Sequence, residues 1–322
     1  MSKHSESLWP TSFLELGSAP GSDTPVIDLI ARELALPNDV AGQLVHSYAP
    51  LASYCAARVE ASPYAPLVVG INGAQGTGKS TAAHILQHLL QQQFDLSVCQ
   101  ISIDDLYLSH ASRQKLAQQV HPLLATRGVP GTHDLSLAID VFAQLSGAQP
   151  GTQTMIPRFN KAADDRCPPE QWDIVVGRPQ VIIFEGWCVG ARAQRSSDLA
   201  QPVNALEAEE DGDGAWREFV NQRLREYQQL FDKLNLLVML KAPSFDQVLE
   251  WRQLQEQKLR ETLSTEELAH SRVMTATEIE RFIAHYERLT RWMLQEMPAR
   301  ADILLSLQAD HSIATIDSHI TQ

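Results

Sequence analysis

The chain has 322 residues, of which 44% are hydrophobic, and its formal net charge is −13 at pH 7. This length can bury a full core and allows about two domains or one large α/β domain, and we favour one domain with appendages. The acidic balance argues against a nucleic-acid backbone or an anionic membrane as the main partner, because either would need a basic face. It leaves room for a local basic pocket that binds a small anion.

The amino-terminal segment 1–23 is polar and has neither the apolar core of a signal peptide nor an Arg-rich amphipathic pattern. No apolar run approaches transmembrane length. The four cysteines lie far apart without paired metal-ligand spacing. These features predict a cytoplasmic protein with reduced, structural thiols.

Two helices are predicted before the first predicted strand. Thr24 and Pro25 are typical of a helix start, and an apolar stripe continues until Pro37. A second helix is predicted over residues 39–59. We therefore predict an amino-terminal helical extension over 1–62, followed by a main domain over 63–322.

The most informative motif follows a buried strand predicted over residues 66–71. It matches the phosphate-binding pattern G-x-x-x-x-G-K-[ST] and leads into a helix with apolar residues at helical spacing. In this motif glycines let the backbone N–H groups wrap around phosphates, Lys79 reaches the β/γ-phosphates, and Ser80 offers its hydroxyl to Mg²⁺. The predicted nucleotide-binding residues are Gly73, Ala74, Gln75, Gly76, Thr77, Gly78, Lys79, Ser80 and Thr81.

Four further apolar runs, at 96–103, 181–185, 234–240 and 301–307, alternate with amphipathic helical patterns. This alternation predicts an α/β fold with a parallel sheet covered by helices on both faces. Ligands of such sheets bind at the carboxyl ends of the strands.

Acidic residues end two of these strands. Asp104 and Asp105 follow the second strand, where a carboxylate could orient an acceptor hydroxyl and accept its proton; the alternative is a helix N-cap. Glu185 closes the third strand and is predicted to bind Mg²⁺ directly or through a ligand.

Two polar segments lie between these strands. Segment 127–134 is a turn rich in Gly and Pro before a helix that Asp134 is placed to cap. Segment 155–161 carries Arg158 and Lys161 on either side of an aromatic residue, which suits an anionic substrate, although each cation singly is also typical of a surface charge.

A charged helix face follows the fourth strand. Arg252, Glu256 and Arg260 recur at i, i+4 and i+8, which indicates either a salt-bridged surface or a lid around 251–275 that delivers arginine to the transferred phosphoryl group.

Three other patterns receive no functional assignment. The acidic stretch 207–213 is predicted to be a solvated loop. Segment 160–164 is similar to the guanine-reading N-K-x-D signature, but its aspartate is one residue late. His84 and His88 lack the glutamate of a zinc-protease helix and are predicted to face solvent.

Together, the phosphate loop and five further segments resemble the D-glycerate 3-kinase family, which is similar to uridine kinase, pantothenate kinase and phosphoribulokinase. The most specific of them are R-G-x-P-G-T-H-D at 127–134 and F-E-G-W at 184–187; the others are 102–108, 156–161 and 165–168. Where relatives commonly have Tyr and Asp, this chain has Phe159 and Asn160.

The resemblance implies a P-loop NTPase fold with a five-stranded parallel sheet in the order 2-3-1-4-5. It implies Asp104 as catalytic base beside Lys79, with Ser80 and Glu185 as magnesium ligands. The substrate candidates are Asp105, Tyr107, Arg127, His133, Asp134, Arg158 and Lys161, and the lid candidates are Arg252 and Arg260.

The leading hypothesis is therefore a kinase that uses ATP and Mg²⁺ to phosphorylate a small hydroxy acid, D-glycerate, to 3-phosphoglycerate, without nucleic-acid or membrane partners. Alternatives are a kinase for a nucleoside or another hydroxylated metabolite, and a non-catalytic ATP-binding regulator, which would not need both Asp104 and Glu185. The sequence fixes neither the oligomeric state nor the role of the amino-terminal helices.

Overall fold

A computed structural model describes residues 8–15, 23–262 and 274–320. The central sheet has the strand order β2-β7-β1-β8-β9-β10, and all neighbouring pairs are parallel except β9 and β10. Its strands are β1 (Leu67–Gly73), β2 (Val98–Ser102), β7 (Val181–Gly186), β8 (Leu236–Lys241), β9 (Ile303–Leu307) and β10 (Ile313–Ser318). Two small antiparallel pairs join β3 (Gln153–Ile156) to β6 (Asp173–Val176) and β4 (Phe159–Asn160) to β5 (Asp165–Arg166).

The five predicted strands are all present, and the predicted parallel order 2-3-1-4-5 is confirmed. The prediction missed the sixth strand, β10, at the edge of the sheet. β10 carries polar residues at Thr315, Asp317 and Ser318 and has a register shift between Ile313 and Thr315, so it lacks the continuous apolar run that marked the others.

Helices cover both faces of the sheet, as predicted. One face carries helices α2 to α4, and the other carries α6, α8 and α10. In the described ranges the helices are α1 (Thr11–Leu14), α2 (Thr24–Glu33), α3 (Asn38–Ala61), α4 (Lys79–Phe94), α5 (His110–Gln119), α6 (Leu135–Gly147), α7 (Ala205–Glu210), α8 (Ala215–Phe231), α9 (Phe245–Thr262) and α10 (Ala276–Glu296).

The amino-terminal helices share a hydrophobic core with the sheet. Val45 and Leu51 of α3 are buried in the same cluster as Val69 of β1 and Leu86 of α4. Ile30 of α2, from the apolar stripe read from the sequence, lies in the same cluster, so this stripe packs on the side of the helix that follows the phosphate loop. This packing fixes α4, and with it the loop, from the side opposite to α6 and α8.

The predicted solvated loop at 207–213 is wrong. Residues 205–210 form α7, and the side chains of Glu207 and Asp211 are buried. Glu207 pairs with Arg288 of α10 at 2.6 Å, and Asp211 pairs with Arg217 of α8 at 2.9 Å. Glu207 and Asp211 can be buried because arginines pair with them, whereas Glu209, Glu210 and Asp213 are exposed.

The predicted solvent-facing positions of His84 and His88 are also wrong. Their side chains are only 29% and 14% exposed, and both rings contact Glu33 at the end of α2. All four cysteines are free thiols, and Cys55, Cys99 and Cys188 are buried. Among the described helices, none combines the length and the apolar composition that a membrane crossing requires.

Candidate active site

The phosphate loop joins the carboxyl end of β1 to the first residue of α4. Gly76 and Gly78 have φ angles of +83° and +81°, in the left-handed region that favours glycine. A Cβ on Gly76 would come within 2.7 Å of the Cβ of Trp251, so this glycine also permits close packing of α9. Because α4 begins at Lys79, its free N–H groups and positive dipole end point toward the loop, where an anion is favoured.

A cavity of about 600 Å³ opens in front of this loop. Four cations and two carboxylates line it, although the whole chain carries a net charge of −13. The charged lining residues are Lys79, Arg127, Lys161, Arg252, Asp104 and Glu256. The cavity is thus a local basic site in an acidic protein, which suits anionic ligands.

Asp104 lies in this cavity at the carboxyl end of β2, in a single 3₁₀ turn, Ile103–Leu106. The hydroxyl of Tyr107 donates to Asp104 Oδ1 at 2.8 Å, and Lys161 Nζ contacts Oδ2 at 2.6 Å. Burial works against the charged carboxylate, but the charges of Lys161 and Lys79 outweigh it and lower the pKa of Asp104 to about 2. Asp104 is therefore ionised and ready to accept a hydrogen bond at neutral pH.

Ser80 and Glu185 form a second oxygen cluster at the loop. Ser80 Oγ donates to Glu185 Oε1 at 3.0 Å. The side chain of Glu185 is 3% exposed, and its Oε2 is buried without a hydrogen-bond partner among the described residues. A hydroxyl and a carboxylate with a spare oxygen are the hard ligands that Mg²⁺ prefers, so these residues fit a magnesium ion.

The cations of the cavity differ in their partners. Lys79 has no carboxylate partner in the described part of the chain, as expected for a group that meets phosphates. Arg127 pairs with Asp164, which also pairs with the fully buried Arg113 at 2.9 Å. Two guanidinium groups thus share the Asp164 carboxylate, and Asp165 also lies close enough to interact with Arg113.

The chain resembles known kinases in sequence. It is 33% identical over 230 residues to the Schizosaccharomyces pombe protein named uncharacterized kinase mug58, a match that covers 69% of this chain and 78% of that protein. It is 30% identical over 246 residues to the chloroplastic D-glycerate 3-kinase of Arabidopsis thaliana. The chain belongs to the D-glycerate 3-kinase family of P-loop kinases. Both relatives are kinases by name, and this chain is an ATP-dependent kinase.

Solved structures agree with this family in fold. The D-glycerate 3-kinase of Cryptococcus neoformans var. grubii superposes with a TM-score of 0.67 at 24% identity, over 85% of this chain and 98% of that one. The match to the Arabidopsis enzyme covers 71% of this chain but only 51% of the plant protein, so the chain spans about half the length of that relative. No family model matches the chain.

Four of the seven predicted substrate residues lie outside the cavity, and Asp105 and Arg158 are two of them. Asp105 points away from Asp104 and binds the Arg158 guanidinium at 2.8 Å and the backbone N–H of Phe159 at 3.1 Å. Arg158 also pairs with Asp173 of β6. These contacts tie β4 and β6 to the turn after β2, and burial raises the pKa of Asp105. The Asp105–Arg158 ion pair is therefore not part of the cavity lining.

His133 and Asp134 contact residues next to the cavity without lining it. The His133 ring is buried, stacks on Tyr107 with centroids 4.5 Å apart, and contacts the Tyr227 hydroxyl through Nδ1 at 2.8 Å. Burial lowers the pKa of His133 to about 3, so the ring is neutral. Asp134 caps α6, as expected, and binds Arg166 at 3.0 Å. Neither residue lines the cavity.

The two arginines predicted to belong to a lid, Arg252 and Arg260, have different positions relative to the cavity. Arg252 lines the cavity and pairs with Glu256 at 2.5 Å, whereas Arg260 donates to the carbonyl of Met274 away from it. The face is salt-bridged and also presents one arginine to the cavity, and the lid role stays a prediction. Of the predicted lid at 251–275, residues 263–273 lie outside the described part of the chain.

Sequence reasoning missed several cavity residues. Phe282 and Tyr286 of α10 line it, and Tyr286 donates to the carbonyl of Arg127 at 3.1 Å. Gln255 of α9 lies there too. Asp164, the partner of Arg127, appeared only as part of a rejected guanine motif. Nothing local distinguishes these residues, because α10 reaches the site only through the packing of the whole fold.

Proposed function

We propose that the protein transfers the γ-phosphoryl group of ATP to D-glycerate and forms 3-phosphoglycerate and ADP. The Arabidopsis relative supports this acceptor by its name. The observation that carries the proposal is the cavity itself, where an ionised Asp104 lies among four cations beside the phosphate loop. Two anionic substrates, ATP and a hydroxy acid, match this charge.

Asp104 would orient the acceptor hydroxyl. In the transfer, the hydroxyl oxygen forms a bond to the γ-phosphorus, the bond from that phosphorus to the β–γ bridging oxygen breaks, and the hydroxyl proton passes to Asp104. Tyr107 holds the carboxylate in place through its hydrogen bond. When Lys161 turns from Asp104 to the anionic substrate, the carboxylate becomes free to accept the hydroxyl.

Lys79 and Arg252 would stabilise the charge that develops on the phosphoryl oxygens. Both side chains line the cavity beside the phosphate loop, where the phosphoryl group of ATP would lie. Ser80 and Glu185 would hold Mg²⁺, which supplies charge neutralisation at the phosphate oxygens when it is bound.

Arg127 and Lys161 are the proposed partners of the glycerate carboxylate. Both line the cavity, whereas Arg158 is engaged by two aspartates outside it. A planar guanidinium can bind a carboxylate through two parallel hydrogen bonds. Arg127 shares Asp164 with Arg113, so its guanidinium would still have N–H groups to offer this second carboxylate.

The wider assignments remain part of this proposal. We place the protein in the cytoplasm, without nucleic-acid or membrane partners. We also retain the division into a helical extension at 1–62 and a kinase domain at 63–322, with the lid around 251–275. The sixteen residues that line the cavity all lie between Gln75 and Tyr286, within the proposed kinase domain.

An acceptor panel tests the proposal. Release of ADP is followed with D-glycerate, uridine, pantothenate and ribulose 5-phosphate in turn, with ATP and Mg²⁺. We expect turnover with D-glycerate at a kcat/KM well above that of the other acceptors. Turnover of uridine or pantothenate without turnover of D-glycerate would overturn the acceptor assignment.

A further inference from the structure

A cluster of two histidines and a glutamate lies between α2 and α4, away from the cavity. His84 Nε2 and His88 Nε2 lie 2.6 and 3.0 Å from the same oxygen, Glu33 Oε2, and 3.2 Å from each other. It is the one group of three mutually close metal-ligating side chains found in the described ranges of the chain. Neither the family's chemistry nor the proposed reaction uses these residues.

The three atoms form a closed triangle in which hydrogen bonds cannot serve every edge. Each Nε2 carries at most one proton, and a protonated nitrogen has no lone pair to offer. Hydrogen bonds can therefore serve at most two of the three edges, and the edge between the two nitrogens is left without one. A cation in front of the triangle would engage all three atoms together.

The spacing fits one face of a tetrahedral zinc site. With bonds of about 2.0–2.1 Å, the ligand atoms of such a site lie roughly 3.3 Å apart. The two nitrogens, at 3.2 Å, are already at that separation. Glu33 Oε2, at 2.6 and 3.0 Å from the two nitrogens, would need to retreat by up to about 0.7 Å to reach that separation. Its side chain is 36% exposed at the end of α2 and has room to do so.

The donor set is also right for zinc. Two imidazoles and one carboxylate, with an open fourth position for water, bind Zn²⁺ in known proteins. The histidines are spaced i, i+4 on α4, so both rings project from one face of the helix. The ring of His88 is largely buried, which limits its freedom before any ion binds.

We propose that Glu33, His84 and His88 form a binding site for a divalent transition metal, Zn²⁺, that ties α2 to the helix of the phosphate loop. His84 lies one helical turn after Ser80, so the ion would brace the first turns of α4 against the amino-terminal extension. This gives the extension a role that is independent of the acceptor chemistry.

The test uses the full chain without nucleotide, freed of metal by chelation and then titrated with ZnCl₂. Calorimetry measures stoichiometry, and thermal unfolding measures stabilisation. We expect one equivalent of Zn²⁺ to bind and to raise the unfolding midpoint, with reversal by EDTA. His84→Gln and His88→Gln should each abolish the rise, and Glu33→Gln should weaken binding.

His110→Gln, which replaces an exposed histidine on α5, is the matched control and should keep the rise. Circular dichroism of each variant without metal confirms the fold. No binding by the parent chain, or equal binding by the parent and by both His84→Gln and His88→Gln, would overturn the proposal. Neither outcome bears on glycerate phosphorylation, which is measured separately.

Discussion

Asp104 and Asp105 are neighbours in the chain but have different surroundings. Asp104 faces the cavity with Lys161 and Tyr107, whereas Asp105 holds Arg158 and the backbone of Phe159. Side chains at successive positions of the turn after β2 point in different directions, so of these two carboxylates only that of Asp104 lines the cavity. The sequence offered both, and only the fold separates them.

Asp104→Asn keeps the size and hydrogen-bonding capacity of the side chain but cannot accept a proton. We expect kcat to fall by about 10²- to 10⁴-fold with little change in the KM for ATP, as measured by steady-state kinetics. Asp105→Asn is the matched control and should retain most of its kcat. The opposite ranking would show that Asp105 is the base.

Arg127→Ala removes the proposed partner of the acceptor carboxylate. A charge-assisted hydrogen bond contributes about 1.5–3 kcal/mol, so we expect the KM for D-glycerate to rise roughly 10- to 100-fold while the KM for ATP stays nearly constant. Arg158 lies outside the cavity, so Arg158→Ala should raise the KM for D-glycerate much less. If Arg158→Ala raises the KM for D-glycerate more than Arg127→Ala does, the glycerate carboxylate binds beside Arg158 and not in the cavity.

The neutral, buried His133 makes stability depend on pH. Its pKa is about 3 in the folded chain and about 6.5 when unfolded, so the unfolded chain binds the extra proton between these values. Folding stability from this group is full above pH 6.5 and declines as the pH falls toward 3. We expect the titration of His133 to lower the free energy of unfolding by about 2 kcal/mol between pH 7 and pH 5.

Urea unfolding of the parent chain and of His133→Asn at pH 7 and pH 5 measures this loss. The variant should lose less stability than the parent over the same interval. His46→Asn, which changes a side chain that is 66% exposed, is the control and should behave like the parent. An unchanged pH dependence in His133→Asn would contradict the assignment of a neutral buried ring.

At the level of elements, α7 shows where local sequence reasoning fails. Its acidic composition indicates a solvated loop, yet Glu207 is buried because Arg288, 81 positions later, binds it through two nitrogens. β10 was missed for a related reason, since an edge strand with one covered face has a weak apolar signal. By contrast, β1, β7 and β8 are buried almost throughout, and their apolar runs predicted them well.

Glu207→Gln should destabilise the fold strongly. It leaves the charge of the buried Arg288 without its counter-ion, which typically costs about 3–5 kcal/mol of unfolding free energy, measured by denaturant titration. Glu210→Gln on the same helix breaks an exposed pair with Arg281 and should cost at most about 1 kcal/mol. Equal effects of the two substitutions would mean that the Glu207 pair is not buried in solution.

At the scale of the whole molecule, the order of the sheet creates the site. β1, β2 and β7 are adjacent and parallel, so the phosphate loop, Asp104 and Glu185 meet at one edge. This convergence could be predicted from strand ends alone. The contributions of α9 and α10, including Gln255 and Tyr286, could not, because they depend on how distant helices cross that edge.

In the proposed reaction, this edge of the sheet transfers a phosphoryl group from ATP to the 3-hydroxyl of D-glycerate. Phosphorus NMR of the products, with the parent chain, Lys79→Ala and the exposed-site control Lys115→Ala, tests it most directly. We predict 3-phosphoglycerate in equal amount to ADP for the parent and the control, and a rate lower by about 10²-fold or more for Lys79→Ala. ADP formation without phosphorylated glycerate, or undiminished product from Lys79→Ala, would contradict the account.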